Sequence, residues 1–374
     1  MKNPFTVYDK YIFNQVLMTT IVAILLFTIV WIAPEMLLNT IKKILEGELT
    51  LKTGVMVLVY EIPKILGKAF PVGLLLGSLF TFDKLSKDSE LTIFRAVGMS
   101  FSRIIRPLVV LSLIVTILCF ITYDKLIPYS CAKLKNINNK TSVTQYIHVK
   151  KDINEHPKQA IVVSLFVNET MFNVIVLDFS QQVFDDLHAI KNISVAKNAV
   201  LGMTPKGEPA WVLNYITSYE INEEGIFKII THKDKDYILI GDEAKEAYTI
   251  MQYSTYRDRD INNKNLKQYV NLLKKQKLDE DYKLMLNKYY QRFFHPFVCV
   301  LLAIMGALLG FSKPREQRLI GFTIAIGCIF IYYITLPFFD LLAEKGVLPS
   351  LITASLPPLA FLGAIIAFYK SRDL

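Results

Sequence analysis

Three charged residues, Glu61, Lys64 and Lys68, recur at helical spacing inside an apolar run from Gly54 to Phe82, so they share one face of a helix. Charge inside a membrane span is costly and, where found, faces a cavity or a partner. The alternative is that the first half of this run lies outside the hydrocarbon and only Gly67 to Asp83 crosses; the sequence leaves both open. A second charged cluster is the island Asp83–Arg106, DKLSKDSELTIFRAVGMSFSRIIR. Asp88 or Ser89 can cap a short helix there, Leu91, Ile93, Phe94 and Val97 give it apolar contacts, and Gly98 can end it. Glu90 and Arg95 are its charged members. A short amphipathic helix tethered between two membrane spans suits a part that touches something at the membrane surface; the plain alternative is a solvated loop helix.

Catalytic motifs are not in view. The chain has no G-x-x-x-x-G-K-[ST] phosphate loop, no H-E-x-x-H and no G-x-S-x-G, so nucleotide hydrolysis by the usual route is not expected of it. His148, His156, His188, His232 and His295 are scattered without ligand spacing and read as surface or strand histidines. Asp185 and Asp186 read as turn residues rather than a catalytic pair. Cys119, Cys299 and Cys328 lie in apolar runs and Cys131 stands alone, which indicates neither a disulfide framework nor a zinc site. No catalytic residue, metal or cofactor is expected.

The elements that must position these residues follow from how the apolar residues are distributed. Of 374 residues 52% are hydrophobic, and they come in blocks, which excludes one ordinary soluble domain. Formal net charge is +9, a balance that tolerates anionic lipid or ligand. A span needs ~20 apolar residues. Ile12–Ala33, the Gly54–Phe82 run and Pro107–Ile127 meet that length, with Pro34 expected to kink the first and Tyr123 to anchor the third at the interface. The first is a retained span, because no small-residue cleavage site follows it. Phe293–Phe311, Leu319–Phe339 and Val347–Tyr369 close the chain, joined by Ser312–Arg318 and Asp340–Gly346.

Between the two sets of spans the pattern changes. Ala160–Val167, Phe172–Phe179, Trp211–Ile221 and the pair Gly225–Ile230 and Tyr237–Ile240 have strand character. The turn clusters Asn168–Thr170, Thr204–Gly207 and Asn222–Gly225 separate them. The expected fold is membrane α plus β: six transmembrane helices, three and three, around an inserted all-β, jellyroll-like domain. The expected domains are residues 1–127 with the first three spans, 128–262 for the β domain, 263–290 as an amphipathic helical lead-in, and 291–374 for the last three spans. Lys2, Lys10, Lys84, Lys87, Arg95, Arg103, Arg106, Lys313, Arg315, Arg318, Lys370 and Arg372 fall on one side of the membrane, against Lys42, Lys43, Lys52 and Lys345 on the other. The positive-inside rule then puts both termini and the 83–106 island in the cytoplasm, and the β domain on the far side.

The segment Ser89-Glu-Leu-Thr-Ile-Phe-Arg-Ala-Val-Gly98 resembles the S-E-L-x-x-x-R-A-x-G stretch of the LptF/LptG (YjgP/YjgQ) permeases of lipopolysaccharide export. Tyr123-Asp-Lys-Leu-Ile-Pro128, Phe311-Ser-Lys-Pro-Arg315, Gly321, Tyr332-Tyr333 and Gly346-Val-Leu-Pro349 extend the resemblance over nearly the whole chain. It implies a subunit of an ABC transporter in the inner membrane, paired with a paralogous permease and powered by a cytoplasmic ATPase dimer. Lipopolysaccharide would enter a cavity between the two permeases and leave through their periplasmic β-jellyroll domains to bridge proteins; no nucleic acid is involved. The helix with Ser89, Glu90, Leu91, Phe94, Arg95 and Gly98 would be the ATPase-coupling helix. The first span and Tyr332–Phe339 would form the gate. Lys42, Lys43, Lys133 and Lys135 are the nearest candidates for the headgroup, although no motif carries them over. A periplasmic enzyme would need a polar cluster that the β domain lacks. A membrane-anchored periplasmic scaffold or assembly protein without transport activity is the other reading.

Overall fold

The computed structural model describes residues 6–32, 36–138, 146–151, 157–167, 169–184, 187–221, 227–311 and 318–371. Pro34, Asn168, Asp185, Asp186, His156, the Asn222–Gly225 turn and Ser312–Arg315 lie outside these residues. The chain forms two compact units, residues 1–138 with 258–374, and residues 139–257.

The first unit is helical. It contains α1 (Val7–Ile32), α2 (Leu38–Leu45), α3 (Leu51–Lys87), α4 (Glu90–Ala96), α5 (Phe101–Ile104), α6 (Arg106–Ile121) and α7 (Ile127–Asn138). Its later part holds α9 (Asn263–Lys275), α10 (Asp279–Gly310), α11 (Arg318–Glu344) and α12 (Ser350–Ser371). Among the described residues six helical stretches are long and apolar enough to cross a membrane. They run past the apolar runs that define them. α3 is 37 residues long, about 55 Å, and α10 takes in the second part of the charged lead-in, with α9 forming the first. Lys, Glu and Asp are adequate helix formers near a terminus, so backbone bonding continues where hydrophobicity stops. The third span likewise does not give way to strand at Pro128. A π stretch, Thr122–Leu126, leads into α7. Pro128 has no N–H for the carbonyl four residues back, and just before it Ile127 N–H donates to the Thr122 carbonyl in the wider π spacing.

α3 and α10 form the centre of the unit. A Cβ on Gly306 would collide with Ser78 Oγ and the Leu75 carbonyl, and one on Gly310 would meet the Leu79 carbonyl at 2.8 Å, so the two backbones approach as closely as small residues allow. α1 lies along α3 in the same way, with Thr19 Oγ1 bonded to Thr81 Oγ1 at 2.6 Å and to the Gly77 carbonyl at 3.0 Å. Leu74, Leu75, Phe82, Leu108, Val298 and Leu302 fill the interior.

The second unit is one antiparallel sheet in sequential order: β1 (Tyr146–Lys151), β2 (Pro157–Val167), β3 (Thr170–Phe184), β4 (Leu187–Met203), β5 (Pro209–Ile221) and β6 (Phe227–Ile238). The expected strand pair in 225–240 is a single strand, β6, and β1 and β4 stand beside the expected runs. The Thr204–Gly207 turn joins β4 to β5, closed by Gly207 N to Thr204 O at 2.9 Å with Gly207 at φ +81°. The sheet is rolled. β1 and β5 lie four strands apart, about 19 Å in a flat sheet, yet the Tyr146 and Trp211 rings approach to 6.4 Å. Helix α8 (Asp242–Ser254) closes the roll: Trp211 Nε1 donates to the Ala244 carbonyl at 2.9 Å, and the Tyr248 ring meets Phe166 edge-on at 5.5 Å. His148 on β1 is buried and bonds Glu243 of α8 at 3.1 Å through Nε2. The inserted all-β domain is thus a six-stranded antiparallel meander.

Candidate functional site

α4 is a helix of seven residues held by its ends. Ser89 occupies the N-cap position with left-handed backbone, φ 62°, and makes no capping bond through its side chain, while Asp88 ends α3. The capping expected of Asp88 or Ser89 is therefore replaced by a tight turn between two helices. Gly98 ends α4 as the spacing predicts. With φ +84°, it donates to the Arg95 carbonyl at 2.9 Å, and Met99 donates to Phe94 at 3.1 Å. That pair of bonds is the Schellman arrangement, in which only glycine takes the left-handed position without strain.

The apolar residues of α4 do not share one face. Leu91 is buried and Phe94 packs edge-on against Tyr8 at 4.7 Å, whereas Ile93 and Val97 are 58% and 78% exposed. Arg95 is exposed beside them. The inward pair ties α4 to the first turn of α1. Tyr11 Oη donates to Glu90 Oε1 at 2.8 Å, and Tyr8 Oη donates to the Ile104 carbonyl at 3.1 Å. Arg103, next to Ile104, forks onto Asp9: Nη1 to Oδ1 at 2.8 Å and Nη2 to Oδ2 at 3.0 Å. The Asp9 side chain is only 2% exposed and also takes the Thr6 N–H at 2.9 Å. Asp9 in turn raises the Arg103 pKa above the ordinary guanidinium range, mainly through this bond. Phe101 of α5 anchors the same end of the unit against Phe311 at 4.8 Å and Tyr369 at 5.7 Å.

The three charged residues of α3 part company. Glu61 and Lys64 pair with each other at 3.0 Å. Lys68 instead holds its ammonium 5.1 Å from the centre of the Trp31 ring. Glu61 and Lys64 thus neutralise each other, while Lys68 turns to an aromatic face.

Lys68 lines a recess of about 170 Å³ among α3, α10, α11 and α12, at the end of the unit opposite α4. Arg259, Lys288, Gln291, Arg292, His295, Tyr332 and Tyr333 line it as well. His295 Nδ1 and Tyr332 Oη are 2.5 Å apart, and Tyr333 Oη donates to the Lys68 carbonyl at 3.1 Å. His295 is thus neither a surface nor a strand histidine. Tyr123, expected at an interface, packs on Gly67 and meets His295 edge-on at 5.4 Å. Arg292 is buried and bonds Asn263 Oδ1 at 2.9 Å and the Asp258 carbonyl. Asp340 gathers α11 onto α10 through Lys288, Asn287 at 2.9 Å and Gln291 at 2.8 Å. The sequence signal for this recess was polar atoms in apolar runs, His295 and Tyr332-Tyr333, each needing a buried partner.

Lys42, Lys43, Lys133 and Lys135 lie on α2 and α7, at the same end as the recess, but do not line it. Lys42 pairs with Glu46 at 3.8 Å and Lys133 lies 5.7 Å from the centre of the Tyr129 ring.

Six candidate spans and a separate rolled β unit define a multi-pass membrane protein with an inserted β domain. Residues 10–371 match the family described as lipopolysaccharide export system permease LptF/LptG, and the chain belongs to that family. It is accordingly a transport component, a permease of the lipopolysaccharide export system. No curated protein matches the chain.

Proposed function

We propose that this permease works as one half of an ABC-type exporter in the inner membrane, beside a paralogous subunit and above a cytoplasmic ATPase dimer. Both termini and α4 face the cytoplasm, and the β unit faces the periplasm, where it hands lipopolysaccharide to bridge proteins. Ser89, Glu90, Leu91, Phe94, Arg95 and Gly98 form the coupling helix. Lys42, Lys43, Lys133 and Lys135 contact the phosphorylated headgroup as point charges. The observation that carries this reading is the construction of α4. Glu90 is bonded to Tyr11 and Phe94 packs on Tyr8, both in the first two turns of α1, while Ile93, Arg95 and Val97 are left outward for a partner. A partner that moves α4 therefore moves the first span.

The test is Glu90→Ala, followed by co-purification with the ATPase and by ATP hydrolysis in the assembled complex. Loss of a charge-assisted contact costs about 1.5–3 kcal/mol, so association should weaken roughly ten- to hundredfold. A variant that assembles, hydrolyses ATP and exports lipid at wild-type rates removes the coupling role.

A further inference from the structure

α4 and α5 hold the start of α1 in different ways. Toward α4, Tyr11 Oη makes one exposed hydrogen bond to Glu90, and the Tyr8 ring one edge-on contact with Phe94. Toward α5 the contacts are the two-bond fork from Arg103 to Asp9 and the bond from Tyr8 Oη to the Ile104 carbonyl. The Arg103 guanidinium also lies 6.0 Å from the centre of the Tyr8 ring, and Thr6 Oγ1 donates to Asp9 Oδ2 at 2.8 Å. The two helices differ in footing as well. Phe101 and Ile104 of α5, with Ile105 after it, belong to the hydrophobic interior. Of the α4 residues only Leu91 is buried. α5 is thus fixed to the body of the helix unit, and α4 is the looser piece. A fork sets the angle between its two groups, which a single hydrogen bond does not. A buried ion pair gives no more stability than an apolar pair of the same volume, so geometry is what this one adds.

We infer that the Asp9–Arg103 fork is the fulcrum of α1, holding the start of the first span on α5 while a partner displaces α4. The push arrives through Glu90 on Tyr11 and Phe94 on Tyr8, one residue before Asp9 and two after it. With Asp9 held, that push tilts α1. With Asp9 free, it shifts the end of the helix and is absorbed there. Asp9 and Arg103 are positioning residues for transport, and neither belongs to the outward set of α4 that meets the partner. The inference deepens the coupling reading of α4 and rests on it.

The experiment measures lipopolysaccharide released per ATP hydrolysed by the complete complex in proteoliposomes, beside ATPase association and the melting midpoint. The decisive variant is Asp9→Leu with Arg103→Leu, which removes the fork without leaving a buried charge unpaired. It should bind the ATPase and hydrolyse ATP as the wild type does, yet release about tenfold less lipid per ATP. Arg103→Lys keeps the charge but not the fork and should fall between the two. Loss of stability alone lowers the amount of working complex and leaves this ratio unmoved. A folded double variant with the wild-type ratio overturns the inference. If the double variant fails to fold, Arg103→Lys decides alone, and a wild-type ratio there overturns it too. Glu90→Ala in the same vesicles separates this inference from the reading beneath it. If Glu90→Ala leaves association and hydrolysis unchanged, the coupling reading fails and takes the fulcrum with it. If Glu90→Ala weakens association while the fork variants release lipid normally, the fulcrum alone fails.

Discussion

At the α4 end of the helix unit Asp9 meets Arg103 through two bonds and Glu90 meets Tyr11 through one, so opposite groups close on each other within the chain. At the other end Lys68, Arg259, Lys288 and Arg292 line a recess with Asp258 as its one carboxylate, and His295 Nε2 is left unbonded. The first arrangement is complete in itself and makes a joint between α1, α4 and α5. The second ties α10 to α11 through Lys288–Asp340 and His295–Tyr332 and leaves one buried ring nitrogen without a hydrogen bond among the described residues. Between them runs the glycine seam of α3 and α10, where the two backbones approach as closely as small residues allow.

The sharpest way to break the comparison is to show that the two ends face the same side of the membrane. Val97 and Val347 are 78% and 64% exposed, one at each end. Replaced singly by Cys, Val347 should react fully with an impermeant maleimide added from the periplasmic side, and Val97 only after the membrane is opened. Cys119, Cys131 and Cys299 are buried and Cys328 is half-buried, so Cys328 is replaced by Ser to keep background labelling low.

Stability should distinguish the ends next. Arg103→Met leaves the Asp9 carboxylate buried without its cation and should cost about 3–5 kcal/mol, read as a lower midpoint in detergent melts. Removing both partners, Asp9→Leu with Arg103→Leu, should recover part of that loss. Arg259→Gln at the other end should stay within about 0.5 kcal/mol of wild type, as befits a residue without a partner. Equal losses at both ends would erase the distinction.

The smallest expected effect sharpens the joint itself. Tyr11→Phe removes one partly exposed hydrogen bond, worth about 0.5–1.5 kcal/mol. Because it frees the Glu90 carboxylate, ATPase association should tighten, by at most about tenfold. Weaker association would mean that Tyr11 positions Glu90 for the partner and does not compete for it.

Hydrophobic blocks of spanning length determined the six membrane helices, and the left-handed demand after Val97 determined where α4 ends, because both depend on neighbours in sequence. The SEL…RAxG stretch was enough to point to the family. Periodicity could not decide which apolar residues of α4 face inward: Phe94 turns in and Val97 out because Tyr8, from a helix more than eighty residues earlier, covers only one of them. Nor could spacing separate Lys68 from Glu61 and Lys64, since all three share a helix face and differ only in what stands opposite. The roll of the β sheet needed Tyr146, Trp211 and α8 to meet across four strands. The recess needed His295, Tyr332 and Lys68 from three different helices. Local pattern sets which segments form and how they end. Partners distant in sequence settle which side chains are buried, paired or left over, because burial and pairing are properties of the packed chain.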